Sequence, residues 1–325
     1  MEDVDIQRKI IEILRCLKNR KGPVGARIIA RELADAGYTI GERAVRYYLR
    51  IMDERGLTKK HGQAGRIITK KGIEELENAL VHDRLGFIIT KIETIAYYVT
   101  YDPKTDKGAV ASNISFVDKK YVEEILEIMR KVHDAGLSIS SHVLVVDEGE
   151  IIGEYEVPRD KSGISTICSI TFDGVLLKSG IPVEPRFGGV VQMLDHRPYR
   201  FSDAISYHGS SLDPLEVFMT KRITSINETI ETGKGKILAN FREIPMVAKE
   251  QAREILELME RRGFTGLLEF GEPNQPLLGI PVGKDKIGIS LIGGVNSMAA
   301  VEEKGFETET MAMESIIDIK KFRKL

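Results

Sequence analysis

An internal duplication, running from about residue 85 onward, constrains the fold of this 325-residue chain more than any other feature. Residues 157–167 match residues 282–292 at a constant offset of 125, and both segments contain an Asp-Lys pair followed by Gly-Ile-Ser. Farther upstream, residues 122–129 match residues 252–259 at an offset of 130. Collinear blocks with small changes of offset are typical of a duplicated unit with altered loops, and two copies are too few for a solenoid.

Each copy of the duplicated unit predicts the same succession of elements. An extended segment comes first, then an amphipathic helix that ends at a glycine, and then a short strand. A turn built on the Asp-Lys pair leads into an apolar strand, which a turn of small residues ends. The predicted apolar strand and turn are residues 164–172 with Asp173-Gly174 in the first copy, and residues 287–295 with Gly293-Gly294 in the second.

The front end of the chain is basic, although the whole chain is slightly acidic. Residues 6–72 contain 17 Lys and Arg against 6 Asp and Glu, a net charge of +11. The whole chain has 47 against 49 and a net charge of −2, so the remaining residues sum to −13. This division indicates that the front end meets a polyanion while the rest of the chain has another task.

The basic segment is patterned like a folded module and not like a charged tail. Apolar residues at helical spacing predict three helices, and two alternating segments around a glycine-bearing turn predict a hairpin. The helices are predicted at about residues 5–18, around Ile28 to Leu33, and at about residues 41–54, and the strands at residues 57–60 and 66–69. Three helices followed by a β-hairpin are a winged helix-turn-helix.

The third predicted helix is the one that enters the major groove of DNA in this kind of module. Its outward face and the hairpin supply the candidate DNA contacts, which are Arg43, Arg46, Tyr47, Arg50, Lys59, Lys60 and Arg66. An arginine fork grips guanine O6 and N7, or a phosphate, with two hydrogen bonds, and hairpin cations reach backbone phosphates. A winged helix used only for protein contacts, with these charges as a solvated surface, is the alternative.

The two patterns together predict an α+β protein of two domains. An N-terminal winged helix-turn-helix is predicted over residues 1–80, and an internally duplicated α/β effector domain with mixed sheets over residues 85–325. The two related halves of the second domain span about residues 85–210 and 211–325.

The duplicated domain offers a candidate site for a small anionic effector. Two pseudo-symmetric halves form a cleft, where small residues at strand ends let a carboxylate approach backbone N–H donors, and Arg186 adds a guanidinium beside a glycine pair. The candidate effector-binding residues are Ser165, Thr166, Cys168, Ser169, Thr171, Arg186, Gly188, Gly189, Gly293, Gly294 and Asn296. A structural interpretation competes with this one, because a glycine pair also turns the chain and a lone cysteine is commonly a buried small residue.

The sequence contains no signature of catalysis, metal binding or membrane insertion. A Ser/His/Asp motif, a phosphate-binding loop and metal-ligand spacing are absent, so we predict no enzyme, no catalytic residue, no metal site and no cofactor. No stretch approaches the roughly 18 to 20 apolar residues of a membrane span, and the N-terminus lacks a signal-peptide pattern. Cys16 and Cys168 fall in different predicted domains, which argues against a disulfide and favours a reducing cytoplasm.

The basic module and two segments of the duplicated domain together resemble a known family. The sequence Val45-Arg46-Tyr47-Tyr48-Leu49-Arg50 is similar to the recognition helix of the winged helix that heads ribonuclease R. The body segments Ser165-Thr-Ile-Cys-Ser-Ile-Thr-Phe-Asp-Gly174 and Arg186-Phe-Gly-Gly189 resemble the NrpR family, the archaeal repressors of nitrogen-fixation and nitrogen-assimilation genes. The resemblance covers nearly the whole chain.

The resemblance implies a homodimeric repressor that senses 2-oxoglutarate, whose rise reports nitrogen shortage and releases the protein from operator DNA. A dimer that places two recognition helices in successive major grooves calls for a palindromic operator. Some members of the family carry two effector domains, whereas this chain has room for one, so a second NrpR-type protein is a candidate partner. A different small anionic effector, recruitment of a protein partner by the winged helix, and an enzyme with a DNA-tethering head are the alternatives.

Overall fold

The computed structural model describes residues 2–20, 22–83 and 87–325, and the side chains of residues 9–20, 22–76 and 88–325. The chain divides into two compact units, Met1–Leu85 and Gly86–Leu325. We call the first unit the head and the second unit the body. Within the described residues, none of the helices is long and apolar enough to cross a membrane.

The head is a three-helix module with a hairpin and one further helix. Its core consists of the apolar faces of the first three helices together with Val24, Leu57 and Leu76, all of them buried. Gly37, with φ of 85°, follows the second helix and turns the chain toward the third. This arrangement confirms the predicted winged helix-turn-helix. The elements are α1 (Glu2–Lys18), α2 (Ala26–Asp35), α3 (Glu42–Glu54), β1 (Thr58–His61), β2 (Gly65–Ile68) and α4 (Lys70–Asp83).

The body repeats one succession of elements, as the duplication predicts. The first copy and its connecting segments contain α5 (Phe87–Tyr98), β3 (Ala109–Asp118), α6 (Val122–Asp134), β4 (His142–Val146), β5 (Ile151–Ile152), β6 (Tyr155–Glu156), β7 (Lys161–Ile167), α7 (Ile170–Lys178), β8 (Glu184–Leu194), β9 (Arg197–Ser206), α8 (Pro214–Thr220) and α9 (Ile226–Thr232). The second copy contains β10 (Gly235–Pro245), α10 (Lys249–Arg261), β11 (Leu267–Phe270), β12 (Lys286–Ile292), α11 (Asn296–Glu303), β13 (Thr308–Asp318) and β14 (Arg323–Lys324).

The two copies exchange strands. One five-stranded sheet has the order β13-β3-β7-β4-β14, and the other has the order β11-β12-β10-β8-β9. Thus β13 of the second copy completes the sheet of the first, and β8 of the first copy completes the sheet of the second. The two halves of the sequence are therefore not two separate modules, because each sheet needs strands from both.

The prediction of mixed sheets is wrong, although the α+β class is confirmed. Every strand pairing of the described residues is antiparallel. A repeated strand-helix-strand order suggested parallel neighbours. Strands within each copy pair antiparallel, as β3 does with β7 and β10 with β12. The exchanged strands β8 and β13 also run antiparallel to the first strand of the other copy.

The predicted strand and turn at residues 164–174 are also wrong in part. Strand β7 ends at Ile167, and helix α7 begins at Ile170, so Asp173 and Gly174 are helical. Almost all of α7 is buried, so its sequence lacks an amphipathic period and reads as an apolar strand. Gly174 is required there by packing, since a Cβ would lie 2.4 Å from Cβ of Val99. In the second copy the turn at Gly293-Gly294 is present, and α11 follows it.

Candidate functional site

Helix α3 of the head separates its apolar and basic residues onto opposite faces. Val45, Leu49 and Met52 are buried against the head's core. The remaining face carries the candidate DNA contacts of the helix in a stripe at helical spacing, and Arg43, Arg46, Tyr47 and Arg50 are all exposed. Because burial of one face fixes the rotation of the helix, the stripe is held toward solvent.

Arg46 forms an ion pair that exposure keeps weak. Its Nη2 lies 2.5 Å from Oε1 of Glu42, one turn earlier in α3, and its side chain is 69% exposed. Glu42 is shared, since Nε of Arg27 lies 3.5 Å away. Exposed ion pairs contribute about 0 to 1 kcal/mol, so a phosphate or a base edge can replace Glu42 as the partner of Arg46 at little cost.

The cationic side chains of the hairpin have two different environments. Lys59 and Lys60 are exposed on β1, in keeping with the prediction that they face DNA. Arg66 instead donates from Nε to Oδ2 of Asp53 at 2.7 Å, and its side chain is only 18% exposed. Asp53 also accepts a hydrogen bond from Oγ1 of Thr58 at 2.6 Å. Arg66 therefore fastens the hairpin to the end of α3, and its contact with DNA stays a prediction.

Two predicted effector-binding residues instead fasten helices to strands. Oγ1 of Thr171 bonds both backbone groups of Ala111, accepting from N at 3.1 Å and donating to O at 3.2 Å. Asn296 does the same in the other copy, with Oδ1 accepting from N of Leu238 at 2.9 Å and Nδ2 donating to its O at 3.1 Å. Both side chains are satisfied within the fold, so their geometry favours a structural role over effector binding.

Four other predicted effector residues, which are Arg186, Gly189, Gly293 and Ser165, do not line a common cavity. Arg186 donates from Nη1 to Oε1 of Glu184 at 2.7 Å. At Gly189 an added Cβ would lie 2.3 Å from the carbonyl oxygen of Asp203, so glycine there serves strand packing. Gly293 likewise lies against Leu238, and Ser165 is buried within β7. These residues do not form one binding surface.

A buried polar cluster lies where the two copies meet. It surrounds a small cavity of about 10 Å³, roughly the space that one water molecule needs. Three of the predicted effector residues, Cys168, Ser169 and Gly294, line this cavity. The polar side chains that sequence reasoning missed are Asn113, Tyr207, Asp213, Asn240 and Arg242.

Hydrogen bonds connect this cluster across the two copies. Nδ2 of Asn240 donates to Oγ of Ser169 at 3.0 Å, and Tyr207 donates its O–H to Oδ1 of Asn240. Arg242 donates from Nη2 to the same Ser169 oxygen at 3.1 Å and from Nε to Oδ1 of Asp173 at 2.5 Å. The cluster therefore links β10, α7 and the segment after β9.

The predicted residues Thr166 and Gly188 lie beside the cluster. Oγ1 of Thr166 accepts from Nδ2 of Asn113 at 3.2 Å and donates to the carbonyl oxygen of Gly294 at 3.3 Å. At Gly188 a Cβ would lie 2.9 Å from the Tyr207 hydroxyl oxygen, so glycine leaves room for that side chain. Neither residue lines the cavity itself, but both lie against residues that do.

Asp213 gives the cluster a pH-sensitive group. It precedes α8, and its Oδ1 accepts a hydrogen bond from N of Leu215 at 3.2 Å. Burial, followed by repulsion from Glu216, raises the pKa of Asp213 to about 7. Because an unfolded aspartate titrates near pH 3.9, the folded protein holds this proton more tightly between about pH 4 and pH 7. The contribution of Asp213 to the free energy of unfolding therefore falls as the pH rises through that window.

We expect Asp213→Asn to remove this loss while keeping an oxygen that caps α8. The free energy of unfolding of the variant, minus that of wild type, should rise by on the order of 4 kcal/mol between pH 4 and pH 8. This figure is the raised pKa of Asp213, about three units above that of an unfolded aspartate, at 1.36 kcal/mol per unit. Urea titrations of both proteins across this range measure the difference. The same change at exposed Asp134 is the control, and a pH-independent difference between Asp213→Asn and wild type would contradict the prediction.

Comparison with known proteins identifies both units. A family model described as NrpR regulatory domains NRD1 and 2 matches residues 85–324, and one described as the ribonuclease R winged-helix domain matches residues 11–76. A solved structure titled as a nitrogen repressor-like protein from Methanococcus jannaschii is 33% identical, with a TM-score of 0.63 over 73% of this chain and 97% of its own. The resemblance noted in the sequence is thereby confirmed.

Curated relatives extend the match to the whole chain. The global nitrogen regulator NrpRI of Methanosarcina mazei is 47% identical over 325 residues, which are 100% of both proteins. The global nitrogen regulator NrpR of Methanocaldococcus jannaschii is 38% identical over 99% of this chain, and that of Methanococcus maripaludis 36% identical over 97%. The chain spans about half the length of these last two relatives, 56% and 55% respectively.

Proposed function

The chain belongs to the NrpR family of nitrogen regulators, and we propose that it is a dimeric repressor that leaves palindromic operator DNA when 2-oxoglutarate binds. The observation that carries the proposal is the exposed basic stripe of α3 in a winged helix joined to NrpR regulatory domains. The names of the relatives support regulation rather than catalysis as the task of the body.

The recognition step follows from the geometry of the head. Helix α3 enters a major groove with Arg43, Arg46 and Arg50 toward base edges and phosphates, while Lys59 and Lys60 contact backbone phosphates. Several phosphate contacts make the affinity fall steeply with salt. A homodimer presents two such helices to two half-sites about one helical turn apart, which is why the operator is palindromic.

The release step is a coupling between two ligands. An effector shifts the DNA-binding equilibrium only by its difference in affinity for the two states of the protein. Couplings of about 1 to 3 kcal/mol are typical, so 2-oxoglutarate should weaken operator binding by roughly 5- to 150-fold. By reciprocity, operator DNA weakens 2-oxoglutarate binding by the same factor.

Fluorescence anisotropy with the full chain tests the proposal. The probes are a duplex from upstream of a nitrogen-assimilation gene that contains an inverted repeat, and a duplex of the same composition with the repeat scrambled. We expect tight binding to the first probe alone, and weakening by 2-oxoglutarate but not by succinate. Weak and equal binding to both duplexes would favour protein recruitment, while specific binding that another metabolite releases would identify a different effector.

A further inference from the structure

Asp53 is an acidic residue that lies in line with the basic stripe of the head. Seven residues separate it from Arg46, so the two lie on the same side of α3, about two turns apart. The side chain of Asp53 is 27% exposed, and a carboxylate beside the phosphates of DNA lowers affinity by repulsion. The contacts of Asp53 indicate what it contributes in that place.

The carboxylate of Asp53 bonds both strands of the hairpin. Its Oδ1 accepts from Oγ1 of Thr58 in β1 at 2.6 Å, and its Oδ2 accepts from Nε of Arg66 in β2 at 2.7 Å. Among the described residues, the side-chain hydrogen bonds between α3 and the hairpin all end on Asp53. Thr58 directly precedes Lys59, and Arg66 is the cross-strand partner of Lys60. Asp53 therefore holds the positions next to both exposed lysines.

Other contacts keep the hairpin folded without Asp53. N of Arg66 donates to O of Val24 at 3.0 Å, and N of Val24 donates to O of Arg66 at 2.9 Å. At the base of the hairpin, Oγ1 of Thr69 donates to the carbonyl oxygen of Gly56 at 2.7 Å. These bonds hold one edge and the base of the hairpin. The carboxylate of Asp53 adds an attachment from α3, which restricts rotation of the hairpin about that edge.

From these contacts we propose that Asp53 is a positioning residue for DNA binding. Its carboxylate sets the angle of the hairpin to α3, so that Lys59 and Lys60 reach phosphates while α3 lies in the major groove. This inference rests on the proposed function for the ligand, operator DNA. A hairpin that is fixed before binding loses less conformational freedom on the duplex, and the affinity is higher for that reason. Asp53 acts through the two lysines and not by touching DNA itself.

A positioning role and simple electrostatics predict opposite effects of removing Asp53. Loss of a carboxylate near DNA reduces repulsion and also frees Arg66 for a phosphate, so charge alone predicts that Asp53→Ala binds DNA more tightly. Loss of the fixed hairpin angle predicts that the same variant binds DNA more weakly. The direction of the measured change therefore distinguishes the two explanations.

Fluorescence anisotropy of the full chain on the inverted-repeat duplex tests the inference. We expect Asp53→Ala to bind this duplex at least about tenfold more weakly than wild type, since the phosphate contacts of the hairpin are lost. The matched control is Glu54→Ala, which removes the same charge from the next position of α3, where the side chain is exposed. The control should bind as tightly as wild type or slightly more tightly.

A double-mutant cycle shows whether Asp53 acts through the lysines. In the wild-type background, Lys59→Ala and Lys60→Ala together should weaken binding by at least about tenfold. In the Asp53→Ala background the same two changes should weaken it by less than about threefold, because the lysines no longer point at phosphates. A merely structural role of Asp53 would leave the two losses additive.

The possible outcomes separate the inference from the proposed function. Absence of specific binding by wild type would overturn the proposed function and the inference together. Specific binding by wild type, with equal or tighter binding by Asp53→Ala or with additive losses in the cycle, would overturn the inference alone. Should Asp53→Ala melt too low for titration, Thr58→Val replaces it, since it keeps the shape of the side chain and removes one of the two hydrogen bonds. Normal affinity in that variant would likewise count against a positioning role.

Discussion

Replacing Arg43, Arg46 and Arg50 together with alanine should weaken specific DNA binding by at least about 100-fold, because each arginine that contacts a base or a phosphate contributes roughly 1 to 3 kcal/mol. The three side chains form the exposed stripe of α3, whose buried face is untouched by the change. The fold of the head should therefore survive. Helix propensity favours alanine over arginine slightly, so no loss of helix is expected.

The salt dependence of binding separates a role in recognition from a general loss of charge. Each lost phosphate contact should reduce the slope of log K against log salt by about 0.9. The control removes three exposed cations from the body, with Arg130, Lys131 and Lys104 changed to alanine. It should keep both affinity and slope. Equal weakening in the two triple variants would mean that net charge, and not the face of α3, determines DNA binding.

The sequence predicted the head well because its signals are local. A helix with one buried face repeats its apolar residues every three or four positions, and glycines mark the turns between elements. Arg66 shows the limit of that reasoning. Its charge and its place in a strand are visible in the sequence, but its ion pair with Asp53, 13 residues earlier, depends on how the hairpin folds back on α3.

The body was harder to predict because its decisive contacts are not local. Helix α7 is buried on nearly every side, so its apolar run has the composition of a core strand. The exchange of β8 and β13 leaves no trace in the order of elements, since packing selects partners that are distant in sequence. These partners are about 40 to 60 residues apart for β8 with β10 and about 190 or more for β13 with β3. The duplication itself was visible in the sequence, and the matched segments form corresponding helices and strands in the two copies.

Some residues of the candidate site were predicted from local sequence signals, and others were missed. Cys168, Ser169 and Gly294 were predicted because small residues follow each apolar strand, and they do line the cavity. Arg242 was missed because it lies in a strand whose other residues are mostly core. A charged residue in a strand that is otherwise buried is itself a signal, since its burial requires a partner.

Asp173→Leu should be the most destabilising single substitution in the body, at about 3 to 5 kcal/mol, because it leaves the guanidinium of Arg242 buried without its carboxylate. The two side chains are 3% and 2% exposed, and Nε of Arg242 lies 2.5 Å from Oδ1 of Asp173. For a unit of this size, the loss corresponds to a fall in melting temperature of roughly 10 °C. Calorimetry of the full chain measures it.

The double variant Asp173→Leu/Arg242→Met should regain most of that stability. Buried ion pairs replaced by apolar residues of similar volume are often neutral or stabilising, since the desolvation of both charges is avoided. The second copy already carries buried Met298 at the place equivalent to Asp173, so an apolar side chain is compatible with this helix. A double variant as unstable as Asp173→Leu would mean that the ion pair itself stabilises the fold.

A stable double variant also tests why the charges are kept. If the pair exists to hold a ligand, the double variant should fold, keep its specific binding to operator DNA, and no longer release that DNA with 2-oxoglutarate. Loss of the response in a protein that melts like wild type separates effector binding from folding, which neither single substitution can do. A double variant that still responds to 2-oxoglutarate would place the effector elsewhere and leave the pair as a feature of the fold alone.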